Sequence, residues 1–343
     1  MNIKKMLINS IVLTAVLMLG ACGNSQDTTQ GDNAQEAGQE AADTTVLKYN
    51  SSRPATDPVY AWYEEFFKEV EERSNGTVKF EMYPSESLGK TADMIEASSK
   101  GEPIINDGDF AYLGEYNADF GILTAPYFIR DPEDWTSLWD SEVGQKLFSE
   151  VENEGMKIMA NFYVGPRNLI TTTQVNSRDD VQGMTLRTAS SKMWTEVGRV
   201  LGGEPTNIPI TEAYQAFSQG VADGGEMSTS YIESLSWFEV APYIAETEHI
   251  LSTTVLIMSA DVYRSLPEEA QTAINEVSRE YMPIFIERIG EIEAELRTAM
   301  EESGAVFTEV DKEPFIEAAQ QLPEKFPEWT PGLYEEISAA LGY

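Results

Sequence analysis

Strand-like and helix-like segments alternate twice along this chain, and that order restricts the fold more than any other feature of the sequence. In the first series, Val46 and Leu47 lead an extended segment to Ser52. Asp57-Pro58 then places an N-cap residue before a proline at the first helical position. Val59, Tyr63, Phe66 and Val70 recur at spacings of three and four, which puts them on one helical face. Ser74-Asn75-Gly76 ends that helix, with Gly76 as the left-handed residue. Val78 to Tyr83 alternates apolar Val78, Phe80 and Met82 with Lys79 and Glu81, as a strand with one buried face does, and a further helix is predicted from Lys90 to Ser99. This β-α-β-α order predicts a mostly parallel sheet covered by helices.

The second series begins after Gly155. Lys157 to Tyr163, Gly183 to Arg187 and Ile250 to Met258 read as strands, and Ser191 to Leu201 and Thr211 to Gln219 as helices. Pro267 to about Gly304 carries a long helical stripe of Ile274, Val277, Tyr281, Ile284, Ile292, Leu296 and Met300. Pro283 is expected to kink it, because proline lacks the amide donor and clashes with the preceding turn. The folded part has roughly 300 residues, enough for two α/β lobes rather than one compact core.

Ahead of both series, Lys4 and Lys5 precede an apolar run from Met6 to Leu19, and Leu19-Gly20-Ala21-Cys22 closes it. The run falls short of the roughly 20 apolar residues that cross a bilayer, so it reads as an export signal, residues 1–21, rather than a membrane span. The four closing residues resemble a bacterial lipobox, which implies lipidation of Cys22 and attachment to the outer face of the cell membrane. Residues 22–45 hold the lipidated cysteine and a tether without aromatic or basic residues up to Asp43, too polar to form a core. Cys22 is the only cysteine, which excludes disulfides, redox pairs and thiolate metal clusters.

Charge and motif content narrow the function further. With 23 Lys+Arg against 58 Asp+Glu the precursor carries −35, and −37 once Lys4 and Lys5 leave with the signal. Such a surface repels nucleic acid and anionic lipid. No HExxH, GxSxG or metal-spaced cluster is present, so neither a metal nor a cofactor is expected. The single histidine, His249, stands before an apolar strand and reads as a structural or surface imidazole. Leu88-Gly89-Lys90-Thr91 has the context of a phosphate-binding loop, but the required glycine five residues before Gly89 is Pro84, which has no amide hydrogen to offer.

Two arginines remain at predicted strand ends. Arg167 follows Tyr163-Val164-Gly165-Pro166, and Arg187 ends Met184-Thr185-Leu186. Ligands of open α/β sheets bind beyond the carboxyl ends of strands, and the planar guanidinium suits a carboxylate. In so acidic a chain, pairing of each arginine with a neighbouring Asp or Glu is an equal alternative.

Five blocks occur in order: Tyr83-Pro84-Ser85-Glu86-Ser87-Leu88-Gly89; Ala125-Pro126-Tyr127-Phe128; Gly165-Pro166-Arg167; Val181 to Arg187, reading VQGMTLR; and Tyr214 to Gly224, reading YQAFSQGVADG. Together they resemble the solute-binding proteins of tripartite ATP-independent periplasmic (TRAP) transporters, of the DctP type. The resemblance covers nearly everything after the tether. It implies a two-lobed, Venus-flytrap α/β fold, monomeric and without enzymatic activity, that closes on a small organic acid and delivers it to a membrane permease. Lobe I would comprise 46–164 with about 253–290, and lobe II 165–252 with about 291–343. Hinges are expected near Val164 and Gly165 and near Leu251 to Thr253.

The family arginine that grips the ligand carboxylate falls on Arg187, a second on Arg167, an acidic pocket position on Asp109, and a cleft-lining loop contains Arg53. Two positions depart from the family pattern: Met227 replaces a ligand-binding amide, and Ile210 stands where some members have an aromatic residue. Both add apolar wall, which favours an acid with an apolar portion, such as a keto acid or short carboxylate, over a polyhydroxylated one. An exported carboxylate-dependent hydrolase and a ligand-sensing lipoprotein are the alternatives.

Overall fold

A computed structural model describes residues 44–343. The export signal, Cys22 and the tether up to Asp43 lie outside the described residues. The described strands are β1 (Thr45–Asn50), β2 (Val78–Tyr83), β3 (Ile104–Gly108), β4 (Met156–Thr171), β5 (Thr185–Thr188), β6 (Glu204–Asn207), β7 (Gly224–Ser228), β8 (Tyr243–Ser259) and β9 (Val306–Glu309). They form one sheet in the order β2-β1-β3-β8-β4-β7-β5-β6, with β9 alongside β8.

Two parallel blocks make up its ends. β1 pairs in parallel with β2 and β3, and β5 with β6 and β7. Between them the sheet is antiparallel: β8 pairs with β3 and β4, and β4 with β7. Each block is the parallel unit that its β-α series predicts, and β4 and β8 run through both.

Helices begin where local chemistry starts them. Asp57 caps Pro58–Arg73, accepting from the Val59 amide at 2.8 Å, and Val59, Tyr63, Phe66 and Val70 are all fully buried. Their face packs on β4 and on a 35-residue helix, Glu268–Glu302, through a stack in which the Phe162 and Phe285 rings lie 4.3 Å apart. Pro283 lies within that helix on its exposed side.

β4 and β8 extend well beyond their predicted spans. Gly165-Pro166 reads as the end of a strand, yet pairing continues, with Gly165 opposite Ser252, Pro166 opposite Leu251 and Arg167 opposite Ile250. The register shifts between Tyr163 and Gly165. Gly165 absorbs the irregularity at φ +103°, a conformation other residues adopt only with strain. β8 starts at Tyr243 rather than Ile250, because the polar run Glu246-Thr247-Glu248-His249 hides its first half. The two segments expected as hinges thus lie side by side on neighbouring strands.

Glu293, on the long helix, closes over this point: a Cβ on Gly165 would stand 2.8 Å from its Oε1. Burial holds the Glu293 carboxyl up to about 7; the Thr229 hydroxyl opposes the push, and Glu248 and Glu246 add to it. Glu246 and Glu248 are themselves paired with Arg297 and Lys312. The folded chain keeps this proton where the unfolded chain has released it, so the associated stability is lost as pH rises from about 4.5 through about 7. In urea unfolding across that window, the wild type should lose on the order of 2 kcal/mol relative to Glu293→Gln, solvent access to part of the side chain keeping the figure below the full shift. Parallel pH profiles for the two proteins would show that Glu293 ionises normally.

Candidate functional site

β5 ends at Thr188, and its third residue, Arg187, carries a side chain that is only 2% exposed. Nε donates to the Ile208 carbonyl at 2.8 Å, whereas Nη1 is buried without a hydrogen-bond partner among the described residues. Burial pulls its pKa below the usual arginine value, the direction expected of a cation lacking a close carboxylate.

Arg167, two residues beyond the register shift at Gly165 of β4, meets the opposite circumstance. Its Nε and Nη2 donate to the two carboxylate oxygens of Glu226 on β7, Nη2 to Oε1 at 2.6 Å, and its guanidinium lies 4.3 Å from the Trp194 ring. His249 on β8 completes the group, with Nε2 3.3 Å from Glu226 Oε2 and Nδ1 2.9 Å from Thr247 Oγ1. Burial would raise the Glu226 pKa, but Arg167 and His249 outweigh it and hold the carboxyl at about 2. Burial lowers that of His249, so a neutral imidazole donates to Glu226 and accepts from Thr247. The histidine is therefore structural, inside β8 rather than ahead of it.

Asp109 and Asp107 approach from the first block. Asp109 caps a short helix through the Tyr112 amide at 3.0 Å and accepts from Trp194 Nε1 at 3.0 Å. Asp107, near the end of β3 and 4% exposed, accepts from the Ser51 hydroxyl at 2.5 Å and the Ser52 amide at 2.9 Å. Burial raises Asp107 to about 7, despite those donors and Arg53.

Arg187, Arg167, Asp107 and Asp109 line one cleft, whose apolar wall includes Met227, Ile210 and Val164 and whose floor includes Ser252, Thr253 and Thr254 of β8. Five of the six binding residues expected from sequence are thus brought together.

Arg53 is placed elsewhere, and the expectation that it lines the cleft is corrected. Fully buried, it pairs through Nη1 with Asp57 at 2.6 Å and Ser230 at 3.2 Å, and covers the Tyr231 ring at 3.7 Å. Asp57 lies one helical turn along the chain and captures the charge. Its neighbour Ser52 lines the cleft instead. Sequence reasoning also missed Asp107, Glu226, Trp194 and Tyr231. Glu226 stands two residues past the family-like block that ends at Gly224, and Asp107 comes two residues after the apolar pair Ile104-Ile105, which could have marked a buried acid at a strand end.

Residues 49–328 match the DctP family, described as bacterial extracellular solute-binding protein, family 7. The sialic acid-binding periplasmic protein SiaP of Vibrio cholerae is 26% identical over 320 residues, covering 93% of this chain and 94% of its own. A TRAP periplasmic solute-binding protein from Ochrobacterium anthropi, solved with bound L-fuconate, superimposes with a TM-score of 0.84 at 27% identity, covering 87% of this chain and all of its own. An apo open structure from Escherichia fergusonii gives 0.74 at 25% identity over 87% of this chain and all of its own. The chain belongs to the DctP family of extracellular solute-binding proteins, whose solved relatives serve TRAP transporters.

Proposed function

We propose that this protein is the extracytoplasmic receptor of a TRAP transporter, seating the carboxylate of a small organic acid on Arg187 and delivering it to the membrane permease. The observation that carries this reading is the buried, unpartnered Nη1 of Arg187 at the cleft. A carboxylate there would meet a planar fork and offset the cost of burying the cation. Arg167, already held by Glu226, supports the pocket by fixing Trp194 and the cleft wall. Met227, Ile210 and Val164 give the acid an apolar surface to lie on. The hydrolase alternative is not carried forward, because family membership is with solute-binding proteins.

Closure belongs to the same reading. Lobe I takes 46–164 with about 253–290, lobe II takes 165–252 with about 291–343, and the hinges are Val164-Gly165 and Leu251 to Thr253. The higher TM-score against the fuconate-bound relative than against the apo open one, at similar identity, supports a closed arrangement here. Cys22 tethers the receptor by lipid to the outer face of the cell membrane, and the receptor acts as a monomer; the support for both is in the sequence.

Truncating one partner of a desolvated ion pair costs about 2 to 5 kcal/mol, so Arg187→Ala should weaken binding by roughly 30-fold or more in calorimetry. Arg187→Lys should also fail, since a point charge cannot reproduce the fork; near-native affinity in the alanine variant would remove Arg187 from the site. Small-angle scattering should show a smaller radius of gyration at saturating ligand, and an unchanged radius would mean that the cleft is preformed. Cys22→Ser should release the protein from membranes or block its maturation. Membrane retention and normal processing of that variant would exclude the anchor.

A further inference from the structure

Charge balance in the cleft constrains the ligand beyond its carboxylate. Arg167 is neutralised by Glu226, and Arg53, behind the cleft, by Asp57. Asp109 has both oxygens bonded, to the Tyr112 amide and Trp194 Nε1; burial raises its pKa, and Arg167 and these donors offset only part of that. Three charges remain without an ion-pair partner among the described residues, Arg187 on the second block and Asp107 and Asp109 on the first; of the two carboxylates, Asp109 has Arg167 acting on it from within the cleft, whereas Asp107 has only Arg53 behind it, so Asp107 is the less compensated.

Asp107 receives only neutral donors, the Ser51 hydroxyl and the Ser52 amide. Its Oδ1 accepts one hydrogen bond, from Ser52 at 2.9 Å, so a lone pair is left for a further donor. The nearest cation that acts on it, Arg53, is committed to Asp57. A ligand bearing a carboxylate alone would satisfy Arg187 and leave Asp107 protonated or, above about pH 7, a buried, uncompensated anion, an unfavourable state. A hydroxyl would supply one neutral hydrogen bond; a cationic nitrogen would supply a charge-assisted bond, roughly twice as strong, and balance the charge.

Resting on the carboxylate reading of Arg187, we infer that the solute is a zwitterionic amino acid, its carboxylate on Arg187 and its cationic nitrogen on Asp107. The raised proton affinity of Asp107 and the lowered one of Arg187 agree, each marking a charge the protein itself does not balance. The overall charge of −35 points the same way, since it repels an incoming monoanion at long range and leaves a zwitterion with no net charge to repel.

Calorimetry on the mature protein at about pH 8 can test this with matched sets of increasing charge separation: alanine, lactate, pyruvate and propionate; β-alanine, 3-hydroxypropionate and propionate; γ-aminobutyrate, 4-hydroxybutyrate and butyrate. In at least one set the amino acid should bind tenfold or more tightly than its hydroxy, keto and plain counterparts. Asp107→Asn should collapse that ratio toward one by weakening the amino acid tenfold or more relative to the plain acid. If no amino acid outbinds its counterparts in the wild-type protein, a comparison that needs no variant to fold, the inference is wrong. It is equally wrong if the preference survives Asp107→Asn. Loss of all acids in Arg187→Ala beside an absent amino-acid preference would overturn the zwitterion alone; acids that bind Arg187→Ala normally would overturn the carboxylate seat itself.

Discussion

The antiparallel ladder between β4 and β8 is the constraint on which the rest of the structure depends. Both strands cross from one parallel block to the other, so every residue of the cleft is positioned relative to this pair. The ladder is irregular where the blocks meet, with Gly165 at φ +103° opposite Ser252 and the long helix closing over it through Ile289 and Glu293. Arg167 lies two residues past Gly165, opposite Ile250, and Ser252, Thr253 and Thr254 of β8 line the same cleft. A single irregular stretch therefore supplies both the place proposed as the hinge and part of the cleft's lining.

Three buried arginines show how position, rather than residue type, decides chemistry. Arg53 meets Asp57 four residues on, and Arg167 meets Glu226 in a bidentate pair. Arg187 donates only to a backbone carbonyl among the described residues, with the Trp237 ring 5.7 Å from its guanidinium. A buried guanidinium is tolerated when a carboxylate offsets its desolvation, and the first two obey that rule internally. The third can obey it only with an anion from outside. His249 serves the same order, because a neutral imidazole donating to Glu226 Oε2 helps hold that carboxylate on Arg167.

How much of this was legible in the sequence follows from how local each determinant is. The helix Pro58–Arg73 and strand β2 were readable to the residue or nearly so, because cap, periodicity and terminator agree within one short window. The second half of β4 was not, since Gly165-Pro166 has the local chemistry of a turn and stays in the sheet only because β8 lies beside it. Arg187 falls inside one of the ordered family-like blocks, whereas Asp109 lies between two of them and was reached only by an ungapped reading from one. Their charge balance could not, because Glu226 is 59 residues from the arginine it neutralises. Arg53 was the one error that local sequence could have prevented: Asp57 stands a helical turn away, at the N-cap, ready to take its charge.

The placement of the unspent charges ties recognition to motion. Arg187 belongs to the second block and Asp107 to the first, so a small ligand can reach both only when the blocks are together. Contacts that need no ligand also join the two sides: Ser52 to Tyr231 at 2.6 Å, Arg53 to Ser230 at 3.2 Å, and Ser234 to Asp57 at 2.8 Å. In the proposed reading these lower the free energy of the closed arrangement without choosing a solute. A solute then shifts the population only by what it gains in the closed state over the open one. In the proposed reading that gain is the pairing of charges the protein leaves unbalanced, so a molecule that satisfies one block alone can bind without driving closure.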